Sequence, residues 1–316
     1  MTPNRDNYEN NQGLPDIQWD VAPQHMPKDD YSNDSGSCKK ISRRKFFKYS
    51  ALAGVGLATF AGVDAFCIEP HWFKVTEHTV CIPKLPSAWD GVRIAHITDI
   101  HLGQYTSYDQ IRDIVDISNA QNPDIVVLTG DYITKSKTPL GPLVEAFRSL
   151  QAKLGKFAVL GNHDYNNSTQ AIINHAKSAG IEMMRNEHRF ITKQGSPICI
   201  AGVEDLWTKR IDASKSLKGV RKNIPTILLC HNPDYAEMLP DDVNIDLMIC
   251  GHTHGGQVKI PFCDAPVLPI RHKKYAEGLV KGPRCPVFIS RGLGMVGIKV
   301  RFNCRPELPI ITLKSI

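Results

Sequence analysis

Asp99 and His101, Asp131, the Asn162-His163-Asp164 triplet, His231, and the pair His252 and His254 each follow directly on a short apolar run. The runs are residues 94–97, 126–128, 157–160, 227–230 and 247–250. A single His or Asp after such a run is ordinarily a turn residue or a cap. Five runs that each deliver a carboxylate, an imidazole or an amide are hard to explain as turns, because nearly all of these groups bind divalent metals. If the runs are strands of an α/β sheet, the polar groups gather at the carboxyl ends, the edge where such sheets bind ligands. Gly130, Gly161 and Gly251 directly precede Asp131, Asn162 and His252. Glycine there lets the backbone bend sharply and approach closely.

This donor set suits the hydrolysis of phosphoesters. That reaction develops negative charge on the non-bridging oxygens and on the leaving group. Two cations ~4 Å apart neutralise both and lower the pKa of a water between them. A carboxylate shared by the two ions holds them against their mutual repulsion. Imidazole and carboxylate donors favour Mn, Fe, Zn or Co over Ca. A neutral donor such as Asn162 leaves the site less anionic, so it repels phosphate less.

The surrounding pattern predicts the elements that carry these groups. Residues 92–97, 125–128 and 157–160 are apolar runs of strand length. Residues 107–119, 139–150 and 168–179 have helical periodicity, the first behind a Ser cap. Strand and helix alternate, which predicts a βαβαβ half with parallel pairing. The second half is richer in strands, at 189–192, 198–201, 226–230, 247–250, 287–290 and 310–313. The expected fold is α/β, with two mixed sheets packed face to face and helices outside in a four-layer α/β/β/α sandwich. Its start is placed near residue 86, at Leu85-Pro86, so the expected domain is 86–316.

The 316 residues hold 42% apolar side chains and a net charge of +6. The charge is uneven: residues 1–36 carry −5, the cluster Lys39, Lys40, Arg43, Arg44, Lys45 and Lys48 adds +6, and residues 49–316 keep +5. That is too diffuse to predict nucleic-acid binding, and no basic run interleaves with aromatics. The nine cysteines include no CxxC pair, so neither a disulfide framework nor a cysteine metal site is implied. Cys199, Cys230 and Cys250 read as small buried strand residues. Cys263, Cys285 and Cys304 lie in loop-like sequence, and a disulfide between two of them is an open alternative if the domain is exported.

Residues 1–41 are read as a disordered tail, poor in apolar side chains. Residues 42–68 are read as an export signal or membrane anchor. Ser42-Arg43-Arg44-Lys45-Phe46-Phe47-Lys48 resembles the twin-arginine signal, and an uncharged Ala- and Gly-rich stretch follows. That stretch, interrupted by Asp64, falls short of the ~20 residues that span a bilayer comfortably. Cleavage after Val63-Asp64-Ala65 would free the domain. Retention would tether it, with the basic flank in the cytoplasm.

In order, Asp99-x-His101, Gly130-Asp131, Gly161-Asn162-His163-Asp164, His231 and Gly251-His252-x-His254 resemble the five-block signature of the calcineurin-like metallophosphoesterases. Gly251-His252-Thr253-His254-Gly255-Gly256-Gln257 and Ser290-Arg291-Gly292-Leu293-Gly294 are similar to a narrower bacterial branch that often carries a membrane segment or a twin-arginine signal. The resemblance implies a binuclear centre of two divalent metal ions. In it Asp131 bridges, Asp99, His101 and His254 complete one site, and Asn162, His231 and His252 complete the other. It implies that His163 faces the substrate as acid and charge stabiliser, and that Asp164 holds the His163 tautomer by a hydrogen bond. The expected partners are a phosphoester substrate, which a membrane segment would let be lipid-linked, and either the export machinery or a membrane. The expected place is outside the cytoplasm. A second reading is a lipid-linked pyrophosphatase, such as one cleaving UDP-2,3-diacylglucosamine in lipid A synthesis, on the cytoplasmic face. A third is a non-catalytic scaffold of the same fold. Among weaker candidates, His96 reads as a packed core residue, Asp205 and Trp207 are candidates to line the cleft, and His272, Lys273 and Lys274 are either phosphate contacts or a solvated loop.

Overall fold

The structure is a computed structural model that describes residues 42–103, 105–134, 139–165 and 169–316. The tail 1–41 lies outside the described residues. The elements run α1 (Arg43–Val63), β1 (Lys74–Ile82), β2 (Arg93–Ile97), α2 (Tyr108–Ala120), β3 (Ile125–Leu128), α3 (Gly141–Arg148), β4 (Gly155–Ala158), α4 (Thr169–Ser178), β5 (Glu182–Met183) and β6 (Glu187–Lys193). They continue with β7 (Ser196–Gly202), α5 (Ala213–Ser216), β8 (Thr226–Leu229), β9 (Leu247–Cys250), β10 (Gly278–Lys281), β11 (Pro286–Ile289) and β12 (Glu307–Ser315).

Among the described residues twelve strands form two six-stranded sheets, ordered β1-β12-β2-β3-β4-β5 and β10-β11-β9-β8-β7-β6. In the first, β2, β3, β4 and β5 pair in parallel while β12 runs antiparallel to β2. In the second, β7, β8, β9 and β11 are parallel, with β6 and β10 antiparallel at the edges. Both sheets are therefore mixed.

The two-residue period of a strand decides which layer each side chain joins. Ile125 and Val127 of β3, Ile227 and Leu229 of β8, and Leu247 and Ile249 of β9 meet between the sheets, with Trp89 and Phe288. Val126 and Leu128 turn the other way, onto α2, α3 and α4, where Ile111, Ile114 and Phe147 cover them. Leu228, Met248, Cys199, Cys230 and Cys250 face the opposite outer layer with Tyr235 and Tyr275. Strands buried on both faces are mostly apolar along their length, His96 in β2 being a buried exception, and the ligand candidates stand just beyond their ends. The α2 start is built as the sequence predicts: Ser107 Oγ accepts from the Gln110 amide at 3.3 Å and the Gln110 side chain accepts from the Ser107 amide at 2.9 Å, a capping box.

Two boundaries differ from the sequence reading. The fold does not start near residue 86. β1 pairs in parallel with β12 from Lys74↔Glu307 to Ile82↔Ser315, and Val80, Ile82 and Leu85 are buried between the sheets. Its alternating burial, with polar residues on the open face, hides it from a search for apolar runs. The N-terminal helical run is also longer than its apolar composition suggests. The chain stays helical past Asp64 through a π turn at Asp64–Ile68 and a 3-10 turn at Glu69–His71. The run Arg43–His71, 29 residues, is long and apolar enough to cross a membrane by length and composition, and no residue of α1 is buried.

Candidate metal centre

β2, β3, β8 and β9 end side by side, and the loops after β2, β3, β4, β8 and β9 converge there. Asp99, His101, Asp131, His231, His252 and His254 are all buried. Five of them occupy the left-handed backbone region: φ is 52° at Asp99, 50° at His101, 55° at Asp131, 72° at His252 and 52° at His254. Such conformations cost a non-glycine residue of order 1 kcal/mol or more each. They persist because each turns a side chain back over the strand ends instead of onward along the chain.

The donor atoms fall into two groups that share one oxygen. His101 Nε2 stands 3.1 Å from His254 Nε2 and 3.4 Å from Asp131 Oδ2, and His254 Nε2 stands 3.3 Å from Asp99 Oδ1. On the other side His231 Nε2 stands 3.3 Å from the same Asp131 Oδ2, 3.1 Å from His252 Nδ1 and 3.2 Å from Asn162 Oδ1. Two ligand atoms ~2.1 Å from one ion at angles of 90–109° are roughly 3.0–3.4 Å apart. The spacing fits donors around a cation. Close contacts between imidazole nitrogens, two lone pairs unless a proton or a cation intervenes, point the same way.

Backbone carbonyls aim two of these rings. Thr129 O lies 2.7 Å from His231 Nδ1, and Pro269 O lies 3.1 Å from His252 Nε2. Each carbonyl takes the ring's N–H, which leaves the lone pair of the other nitrogen facing the centre. The Nδ1 atoms of His101 and His254 find no such partner among the described residues. Asp99 is oriented by Thr98 Oγ1 at 2.8 Å and by the His252 amide at 2.9 Å, both donating to Oδ2.

The electrostatics follow from burial of opposed charges. Burial pushes His101 down to about 3 and His252 down to about 4, so both rings are neutral donors. Burial also disfavours the charged forms of Asp99 and Asp131. The facing imidazoles outweigh it and hold both carboxyls below their ordinary range. For His231 burial acts downward, but the Asp131 charge outweighs it and raises the ring well above its usual value. A cation held here would take the place of that proton.

The glycines before the ligands have no room for a side chain. A Cβ on Gly161 would collide with the Asp131 carboxylate, and one on Gly251 with Asp99 and Thr98. A later segment closes over the same place. Gly294 N donates to Asp99 O at 2.7 Å and Leu293 N to Thr98 O at 3.1 Å, and a Cβ on Gly292 would stand 2.6 Å from Asp99 Cβ. That segment is held by Arg301, which is fully buried. Its guanidinium donates to the carbonyls of Arg291, Gly292, Gly294 and Cys304 at 2.6 to 3.2 Å. A lone Arg between apolar residues gave no sequence signal for this role.

His163 and Asp164 part company. The His163 ring stands 4.9 Å edge-on from His101, and the residue is partly buried. Together with His101 and Asp131 it also presents ligand atoms within 4.8 Å of one another. Asp164 is fully buried and makes no hydrogen bond to His163. Its Oδ2 accepts from the amides of Asp131 at 2.8 Å and Gly161 at 2.9 Å, and its Oδ1 from Tyr132 at 3.0 Å. The expected tautomer-setting role is thus corrected: Asp164 is a positioning residue that ties the β3 and β4 loops together. Burial first, and then the Asp131 charge, push its carboxyl up to about 8 against those amides.

Of the weaker candidates, His96 is a packed core residue, 2.7 Å from Thr129 Oγ1 and pushed down to about 3 by burial. Trp207 stands edge-on to His252 with ring centroids 5.2 Å apart, while the Asp205 carboxylate caps the Trp207 amide at 2.8 Å. His272 is paired with Asp234 at 3.0 Å. Cys263, Cys285 and Cys304 are all free thiols.

Residues 92–256 match the family described as calcineurin-like phosphoesterase. The chain belongs to this family. It is similar to the uncharacterized metallophosphoesterase YkuE of Bacillus subtilis, 34% identical over 88% of this chain and 99% of that protein. It is also similar to phosphodiesterase YaeI of Escherichia coli, 32% identical over 86% of this chain and 99% of that one. A transmembrane protein with metallophosphoesterase domain from Danio rerio is 31% identical over 77% of this chain and 57% of its own length. As a metallophosphoesterase the protein is a hydrolase of phosphoester bonds that uses divalent metal.

Proposed function

We propose that the protein is a phosphodiesterase with a binuclear metal centre, in which Asp131 bridges, Asp99, His101 and His254 hold one ion, and Asn162, His231 and His252 hold the other. The observation that carries this is the placement of Asp131 Oδ2, 3.4 Å from His101 Nε2 in one donor group and 3.3 Å from His231 Nε2 in the other. The bound ions would be Mn, Fe, Zn or Co, and they supply Lewis acidity toward the phosphoryl oxygens and the attacking water. His163 carries a proton to the leaving oxygen, for which its partly buried ring beside His101 suits it. Asp164 keeps the β3 and β4 loops in register, so that Asp131 and His163 face one another across the site. The helical run Arg43–His71 holds the domain at a membrane, on the outer side, with the basic flank at Arg43 and Arg44 left in the cytoplasm.

The test is hydrolysis of bis-p-nitrophenyl phosphate by the purified chain before and after exhaustive chelation. Activity is expected to vanish with the metal and to return with Mn²⁺. Full activity in protein shown to hold no metal would overturn the reading.

A further inference from the structure

Two clefts adjoin the metal centre, and their linings differ in chemistry. The first, of 760 Å³, lies on the His252 side and is lined by Trp207, Lys209, Asn232, Pro269 and Arg271 among others. Lys209 and Arg271 bring positive charge, and neither side chain is ion-paired among the described residues; the Asp234 carboxylate in the same lining is taken up by His272 and by the Arg271 amide. The second, of 450 Å³, lies on the His254 side between Val258, Pro266, Val267, Val296 and Ile298. Its walls are almost wholly carbon. Val267 and Ile298 of its lining are exposed, as are Ile260 and Phe262 in the same segment of chain, and exposed apolar side chains in such number mark an interaction surface.

Residues 301–304, which follow the groove-wall residues Val296 and Ile298 in the chain, bond the end of the membrane-length helix. Ala65 O accepts from Arg301 N at 3.0 Å. The Glu69 carboxylate accepts from Asn303 N at 2.7 Å and from Cys304 N. Cys304 Sγ in turn donates to His254 O at 3.3 Å. The strip beside these residues carries the groove wall: Lys259 N donates to Phe302 O at 2.8 Å, and Val258 bridges to Phe302. The chain therefore ties the segment that forms one wall of the apolar cleft to the helix that would meet the bilayer, while the cleft on the His252 side adds two basic side chains to a mainly apolar lining.

Resting on the phosphodiesterase reading above, we propose that the substrate is an amphiphilic phosphodiester resident in that bilayer. Its alkyl chain lies in the His254-side groove, its polar head group lies toward Lys209 and Arg271, and the phosphorus lies between them at the centre. In the reaction a bond forms from the oxygen of water to phosphorus and one phosphorus–oxygen ester bond breaks. The departing alcohol takes a proton, and the remainder leaves as a phosphomonoester. An apolar chain gains free energy from each methylene removed from water, whereas a short ester has nothing to place in the groove.

The full chain in mixed micelles with Mn²⁺ is offered methyl and hexadecyl p-nitrophenyl phosphate. We expect kcat/KM to be at least about tenfold higher for the hexadecyl ester, since only a few buried methylenes suffice for that factor. In Val267→Asp and Ile298→Asp the ratio of the two should fall toward unity. A hexadecyl phosphonate bearing a diazirine on its chain gives a readout that needs no turnover: its crosslinks should map to residues 258–267 and 296–298. Equal kcat/KM for both esters, or crosslinks confined to α1, would overturn the groove assignment and leave the phosphodiesterase reading standing. Turnover of neither ester would overturn that reading, and this inference with it.

Discussion

Asp131 divides its two oxygens. Oδ1 accepts from the His163 amide at 2.9 Å, while Oδ2 faces both imidazole groups. Removing its charge therefore acts on both halves of the centre, whereas Asn162 reaches only the His231 side. Asp131→Asn is expected to lose both cations and Asn162→Ala at most one, as counted by elemental mass spectrometry. Retention of two ions by the Asp131 variant would refute the bridging role. His163 is separable from the ligands by the same measurement. His163→Ala should keep its metal and lose turnover by ~10²–10⁴-fold, the range of a positioned proton donor. The loss should be larger for alkyl esters than for p-nitrophenyl esters, whose leaving oxygen needs little protonation. Loss of a metal instead would make His163 a ligand, as its nearness to His101 and Asp131 also allows.

At the scale of elements, β1 is the part of the domain that lies ahead of the expected boundary. It pairs along all of β12 and buries Val80 and Ile82, with Leu85 just behind. Burial of each such side chain contributes ~1.5–3 kcal/mol, so the three together approach the whole stability of an ordinary domain, ~5–15 kcal/mol. A chain begun at residue 86 should be insoluble or lack a cooperative thermal transition, whereas one begun at residue 64 keeps both β1 and the Glu69 contacts to Asn303 and Cys304. Equal melting curves for the two would show that β1 is an ornament of the sheet. The loops that bear the ligands have a different logic. Their left-handed turns and side-chain-free glycines are unfavourable locally, and they are held in place by contacts between loops, above all Asp164 to Asp131 and Arg301 to the segment 291–294.

At the scale of the whole molecule, the question is where the catalytic domain works. The helical run from Arg43 to His71 leads without a break into residues that bond the domain, through Ala65 and Glu69. If Arg43 and Arg44 are read by the twin-arginine machinery, replacing both with Lys keeps the charge and loses recognition. Fractionation of a tagged protein should then find it inside the cell. Normal appearance outside would show that the segment serves only as a tether.

Much of the centre is legible in the sequence, because metal chemistry restricts residue types and a doubly buried strand is mostly apolar until it ends. Those two constraints are local. They suffice to place Asp99, His101, Asp131, Asn162, His163, His231, His252 and His254 at strand ends and to call for an α/β fold of two sheets. What only the tertiary structure decides are contacts between residues far apart in the chain. Asp164 serves the backbone of Asp131, 33 residues away, and not its neighbour His163. Glu69 bonds Asn303, 234 residues on. β1 finds β12 although its half-polar pattern escapes a search for apolar runs. A hydrogen bond's energy depends on where its partner lies in space, and residue spacing along the chain does not encode that position.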